Sequence, residues 1–181
     1  MNEKIIIAGF GGQGVIMAGK LVAYAGMIEG KYVSHIPSYG AEMRGGTANC
    51  SVIISSTEVA SPLVPHPTTL IAMNQPSLDK FEPLVVEGGN IFINSSLIDR
   101  KAERSDVHVY YIPANNIAEK SGSGRASNIA MIGALLAVTG LASKEVVKKS
   151  LPEVISKRNI KYLDINYKAL DTGFEYVNNA H

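Results

Sequence analysis

Three observations predict an α/β fold: a mainly parallel, mixed central sheet between two helical layers, with a Rossmann-like start. The run from Lys4 to Ala8 is short and Ile-rich, the pattern of a strand buried on both faces rather than of one lying half in water. It passes directly into Gly9-Phe10-Gly11-Gly12-Gln13-Gly14 and then into a stretch, Val15 to Glu29, whose apolar residues include helical spacings. Further short apolar runs alternate with helical segments along the chain, which is the order that builds parallel sheets. At 181 residues the chain is long enough for one core, and residues 1–181 are expected to form a single domain.

Strand one is expected to sit centrally, and the glycine turn after it matches G-x-G-x-x-G in its proper setting between strand and helix. Amides at such a helix start point outward and the helix dipole favours an anion there, so the turn suits a phosphate or carboxylate; close packing of the glycines is the other reading. Dinucleotide binding would also need a carboxylate at the end of the second strand to hold the ribose hydroxyls. That strand, from about Lys31 to Pro37, ends in Ser34-His35-Ile36-Pro37-Ser38 and offers none. His35 lacks a metal-ligating neighbour in sequence and reads as a satisfied structural residue.

Thr47 to Ile54 reads as a strand, with Cys50 a small buried hydrophobe within it. Pro62 to Pro67 is an extended connection. Thr69 to Met73 is another short strand, after which Asn74-Gln75-Pro76 starts a helix that runs to about Phe81. Strands at Gly89 to Asn94 and Asp106 to Ile112 follow, joined by a polar link that carries Asp99, Arg100, Lys101, Glu103 and Arg104 and reads as solvated. Asn115 and Asn116 begin a helix broken at Ser121-Gly122-Ser123-Gly124-Arg125, where Arg125 reads as a solvated cation able to meet an anion. From Ala126 to Thr139 the small residues Ala130, Gly133, Ala134 and Ala137 crowd one helix face, so another backbone can approach closely. Ser143 caps the next helix, which Pro152 kinks or splits. The last helix, from about Asn159, presents Ile160, Leu163, Tyr167, Leu170, Phe174 and Val177, a stripe that must bury itself on this domain or on a partner.

Between the second and third strands lies Ser38-Tyr39-Gly40-Ala41-Glu42-Met43-Arg44-Gly45-Gly46, too rich in glycine for a helix and too charged for a core. An aromatic, a carboxylate and a guanidinium set among turning glycines suit a recognition loop, although an ordinary solvated β-β connection has the same composition. Glu42 and Arg44, two residues apart, would project to the same side of an extended segment and could pair or meet a charged ligand together.

Composition narrows the function. A net charge of +1, from 17 basic and 16 acidic residues without runs, provides no stripe for nucleic acid. The 46% hydrophobic content suggests a sheet buried on both faces and a surface covered by other subunits; alone, such a chain would be expected to self-associate as a two-fold dimer. A strand within four residues of the start leaves no secretory pattern, and the most apolar helix is too short to span a bilayer, so a cytoplasmic protein without membrane contact is expected. One cysteine excludes an intrachain disulfide and a four-cysteine iron–sulfur site held by this chain. There is no G-x-S-x-G elbow, no Walker-type phosphate loop, no H-E-x-x-H pair, and hence no expected catalytic residue or metal ligand.

Taken together, Ile7-Ala8-Gly9-Phe10-Gly11-Gly12-Gln13-Gly14-Val15, the Ser38 to Gly46 loop with its Gly-Gly-Thr-Ala-Asn-Cys-Ser-Val continuation, and Asn128 and Gly133 make the chain resemble the gamma subunit of the 2-oxoacid:ferredoxin oxidoreductases. The resemblance covers nearly the whole chain and points to the 2-oxoglutarate and 2-oxoisovalerate types. It implies a subunit of a complex in which thiamine diphosphate, magnesium, iron–sulfur clusters and coenzyme A convert a 2-oxoacid to an acyl-CoA and reduce ferredoxin. Alpha and beta chains and a ferredoxin-like delta chain would be the partners. The Gly-Asp-Gly that would announce a thiamine diphosphate site is absent here. Gly11, Gly12, Gln13 and Gly14 with Ser38, Tyr39, Glu42, Arg44, Gly45 and Gly46 are therefore expected to line an intersubunit cleft, both segments lying at the carboxyl ends of neighbouring strands. A free-standing nucleotide- or anion-binding module and a purely structural scaffold are the competing readings.

Overall fold

The computed structural model describes residues 2–39 and 47–180. Six strands form one sheet in the order β2-β3-β1-β4-β5-β6, where β1 is Asn2–Phe10, β2 Tyr32–Tyr39, β3 Thr47–Ser55, β4 Thr69–Ala72, β5 Asn90–Asn94 and β6 His108–Ile112. β1, β4, β5 and β6 run parallel, while β3 lies antiparallel between β1 and β2. The sheet is therefore mixed and mainly parallel, with β1 internal as its Ile-rich sequence requires. The dinucleotide-binding order 3-2-1-4-5-6 would set β2 beside β1. Here β3 takes that place and displaces the end of β2 by one strand.

Helices α1 (Val15–Ile28), α3 (Ala114–Ser121), α4 (Ser127–Thr139), α5 (Lys144–Val154) and α6 (Leu163–Ala180) build the core on one face with Ile5, Ile7, Cys50, Val52, Ile54 and Phe92. The other face carries Ile6, Ala8, Ile53, Leu70, Ile91 and Ile93 under α2 (Gln75–Phe81), so the third layer is thin. Alternation along β1 and β3 assigns each residue its face. Asn74 caps α2 by accepting the Ser77 amide at 2.9 Å, and Ser143 caps α5 through the Val146 amide at 3.3 Å. Pro152 stands inside α5, which ends two residues later.

The small-residue face of α4 meets α6. A β-carbon on Gly133 would lie 2.1 Å from the Leu170 carbonyl oxygen, and one on Gly173 would lie 2.0 Å from the Ala130 carbonyl oxygen. Two backbones can touch there only because both positions lack a side chain. Leu170 and Val177 are buried, so the terminal stripe packs on its own molecule, yet Ile160 is 45% exposed. It belongs to a separate 3-10 turn, Lys157–Tyr162, rather than to α6.

The link after β5 departs from its solvated reading. Glu82 is buried and accepts Arg100 at 2.8 Å together with the amides of Glu103 at 2.6 Å and Arg104 at 3.1 Å. Arg100 also reaches Asp79 at 2.8 Å. Burial works against the Arg100 charge, and its bonds to the two carboxylates outweigh that and raise its pKa.

Candidate functional site

The glycine turn is built from its own side chains as much as from its glycines. Gln13 folds back so that its Oε1 accepts the Phe10 amide at 2.6 Å, while its Nε2 donates to the Met73 carbonyl at 3.1 Å. The Gln13 side chain thus ties the turn to the end of β4, which fixes the turn and uses up its own polar groups. Gly12 and Gly14 have φ of 93° and 72°, a region that side chains avoid. Gly14 is the N-cap of α1 and brings no side-chain cap, so the first amides of the helix are left to the surroundings.

A second helix starts beside it. Asn128, in the first turn of α4, donates from Nδ2 to the Gly14 carbonyl at 3.0 Å, and a β-carbon on Gly14 would lie 2.4 Å from that nitrogen. α4 has no side-chain cap of its own but continues from the 3-10 turn Gly124–Ala126, whose Gly124 carbonyl accepts the Ser127 amide, and the Ile129 amide donates to Asn128 Oδ1 at 3.0 Å. Two helix starts, with their partial positive charge, are locked together at one edge of the sheet. Arg125, just before α4, is exposed as the sequence suggested. Behind this edge the Met73 carbonyl also faces Asn94 Nδ2 at 3.5 Å, and Asn94 donates to Asn115 Oδ1 at 2.8 Å. The chain of amides runs from β1 across β4 and β5 to α3. Asn128 entered the sequence reading only through the family resemblance and Asn94 only as a strand end, because both bonds join segments far apart in the chain.

Register places the second segment against the first. Phe10 pairs with Thr47 and Tyr39 with Ala48, so the C-terminal ends of β1 and β2 and the start of β3 share one edge. Gly11 and Gly12 are exposed there, as is Ser38 at the end of β2. Tyr39 closes β2. Glu42, Arg44, Gly45 and Gly46 lie outside the described residues. The strand ends that carry the loop do emerge beside the glycine turn.

Cys50 of β3 and His35 of β2 both lie under α1 at Gly19. Cys50 is fully buried, donates to the Val15 carbonyl at 3.3 Å, and has its pKa pushed up to about 12 by burial. His35 departs from its satisfied reading: Nε2 is buried without a hydrogen-bond partner. A β-carbon on Gly19 would lie 3.0 Å from it, so α1 packs closely over the ring. Burial, and then the charge of Lys20, pull the His35 pKa below its ordinary value. Among the described residues no group of three His, Cys, Asp or Glu side chains converges as a metal site. No helix is long and apolar enough to cross a membrane.

The model of the family described as pyruvate ferredoxin/flavodoxin oxidoreductase matches residues 4–176. The chain belongs to this family. Within it, the ketoisovalerate oxidoreductase subunit VorA of Methanothermobacter marburgensis is 41% identical over 176 residues, which cover 96% of this chain and 36% of VorA. The chain thus spans about a third of the length of its first curated relatives. The 2-oxoglutarate synthase subunit KorC of Methanocaldococcus jannaschii is 34% identical over 160 residues, covering 87% and 86% of the two chains. The solved gamma subunit of a keto/oxoacid ferredoxin oxidoreductase from Geobacter sulfurreducens superposes with a TM-score of 0.84 at 31% identity, over 98% of this chain and 99% of that one. A 2-oxoglutarate:ferredoxin oxidoreductase from Magnetococcus marinus, solved with 2-oxoglutarate, coenzyme A and succinyl-CoA, shares the fold at a TM-score of 0.88 and 24% identity, over 98% of this chain and 31% of that one.

Proposed function

We propose that this chain is the gamma-type subunit of a thiamine-diphosphate-dependent 2-oxoacid:ferredoxin oxidoreductase and completes an intersubunit cleft without carrying the reaction itself. The observation that carries the reading is the shared edge. Pairing of Phe10 with Thr47 sets the glycine turn, the uncapped start of α1 and the roots of the Ser38–Gly46 loop together, and Asn128 brings the start of α4 beside them. Such an edge offers amides and dipole to an anion and, with Arg44, a guanidinium. The phosphates of coenzyme A or the carboxylate of the 2-oxoacid fit that chemistry. Identity over nearly the full chain to ketoisovalerate and 2-oxoglutarate subunits, at 41% and 34%, against 28% for a pyruvate synthase subunit, supports a branched-chain or 2-oxoglutarate substrate.

Thiamine diphosphate, magnesium and iron–sulfur clusters belong to other chains in this reading. This sequence has no Gly-Asp-Gly, and its one cysteine is a buried thiol with a raised pKa rather than one of four cluster thiolates. Ferredoxin and the alpha, beta and delta chains are the partners, in the cytoplasm. The test is Arg44→Ala in a reconstituted complex whose assembly is checked by size. Loss of a charge-assisted contact costs about 1.5 to 3 kcal/mol, so kcat/KM for coenzyme A or the 2-oxoacid should fall roughly ten- to hundredfold. Unchanged kinetics in an assembled complex would reject a ligand role for the loop.

A further inference from the structure

The sheet ends at β2 in an open strand edge. β2 is eight residues long and pairs with β3 on one side; among the described residues no strand pairs with the other side. None of residues 32–38 is buried, whereas residues 5–9 of β1 all are. Strand edges left in water are ordinarily blunted by charge, above all by lysine, or by proline. From Tyr32 to Tyr39 there is no lysine, arginine, aspartate or glutamate, and Pro37 removes only one amide from the edge. Apolar side chains flank it: Tyr32 and Ile36 on β2, and Met27 and Ile28 in the last turn of α1, are each between 38% and 53% exposed. α1 is the helix that packs on β2, through Gly19 at His35 and Gly26 at Val33.

The alternation along β2 indicates what covers this edge. His35 and Val33 lie under α1, so Tyr32, Ser34, Ile36 and Ser38 lie on the opposite face. A two-fold axis normal to the sheet at His35 pairs β2 antiparallel with its own copy and keeps every residue on its face. It sets Ile36 of one copy opposite Ser34 of the other, and Tyr32 opposite Ser38, large against small at each position. No like charges within the strand meet, because burial, and then the charge of Lys20, lower the His35 pKa and leave the ring neutral at pH 7. Eight residues run for roughly 27 Å and a sheet with one helical layer is roughly 20 Å deep, so the pair would bury somewhat over about 1,000 Å², the size a specific interface needs.

We propose that β2 is the seam of a two-fold homodimer, in which the six-stranded sheets of two copies join edge to edge through antiparallel β2–β2 pairing. The inference is independent of the anion-binding reading of the glycine turn. The antiparallel seam sets the Tyr39 ends of the two strands roughly 25 Å apart, so the loop roots of the two copies lie at opposite ends of it.

The test uses the 181-residue chain, with sedimentation equilibrium between about 1 and 100 µM as the readout. The parent should be a dimer that dissociates on dilution. Ser34 of one copy is diagonal to Ser34 of the other, within reach of long side chains, so Ser34→Lys and Ser34→Glu should each weaken the dimer at least tenfold with an unchanged far-ultraviolet spectrum. Mixing the two variants should restore it, because lysine then faces glutamate, a rescue that needs the two positions to meet across the axis. A parent that is monomeric throughout would overturn the proposal, as would a dimer indifferent to both substitutions or a mixture that stays dissociated. If the parent is monomeric and Ser34→Lys also fails to assemble with partner chains, the edge receives a strand from a different chain and the homodimer is rejected.

Discussion

Gly133→Ala tests the packing that holds the site's second helix in place. Alanine is the better helix former by about 1 kcal/mol, so in an isolated α4 the change would stabilise. In the folded chain the new methyl would stand 2.1 Å from the Leu170 carbonyl oxygen and 2.8 Å from the Phe174 amide nitrogen, both backbone atoms with no rotamer to yield. Restoring ordinary contact requires α4 and α6 to part by about 1 Å, in a layer that includes Ala130, Ala169 and Leu170, all fully buried. Overpacking of this kind costs about 1 to 3 kcal/mol, and obstruction by backbone places it near the upper end. The net loss is then about 2 kcal/mol, or roughly 4 to 8 °C in Tm for a domain of this size. Urea and thermal unfolding followed by circular dichroism would measure it. A variant as stable as the parent, or more stable, would show that helix propensity outweighs the contact and refute the close approach. Gly173→Ala strikes the same contact from the other side, so the double variant should lose less than the two single losses combined.

Two further perturbations probe the remainder of the molecule. His35 has a lowered pKa in the folded chain, so the unfolded chain takes up its proton first; stability should be fully present above pH about 6.5 and fall as pH drops below it. Urea midpoints between pH 5 and 7.5 would reveal that slope, and His35→Leu should flatten it; an undiminished slope would assign it to other groups. Arg100→Met leaves the buried Glu82 carboxylate with two amides and no bonded guanidinium, only the nearby Arg104 charge, at a cost of about 3 kcal/mol. A loss below 1 kcal/mol by urea titration would mean that the amides alone suffice.

The turn after β1 was legible because every part of it is local: an apolar run, glycines where φ is positive, and a helix directly after. The same holds for the Asn74 and Ser143 caps and for the small-residue face of α4, since capping and close approach are set by residue type at a fixed spacing. The link after β5 was misread for the converse reason. Its charges look solvated in sequence because Glu82, which gathers them, is contributed by the segment after α2, and nothing local announces its burial. The last helix was likewise expected from about Asn159, whereas Lys157–Tyr162 form a separate 3-10 turn and the helix starts at Leu163.

By itself the sequence determined the α/β class, a buried first strand and a glycine turn between that strand and the first helix, because periodicity and backbone freedom are properties of short stretches. Tertiary structure alone decided that β3 inserts antiparallel between β1 and β2, that Asn128 locks two helix starts together, and that the roots of the charged loop emerge beside the glycine turn. Strand order and register arise from pairings between residues far apart in the chain, and the free energy that selects among them is that of burying both faces of one sheet at once.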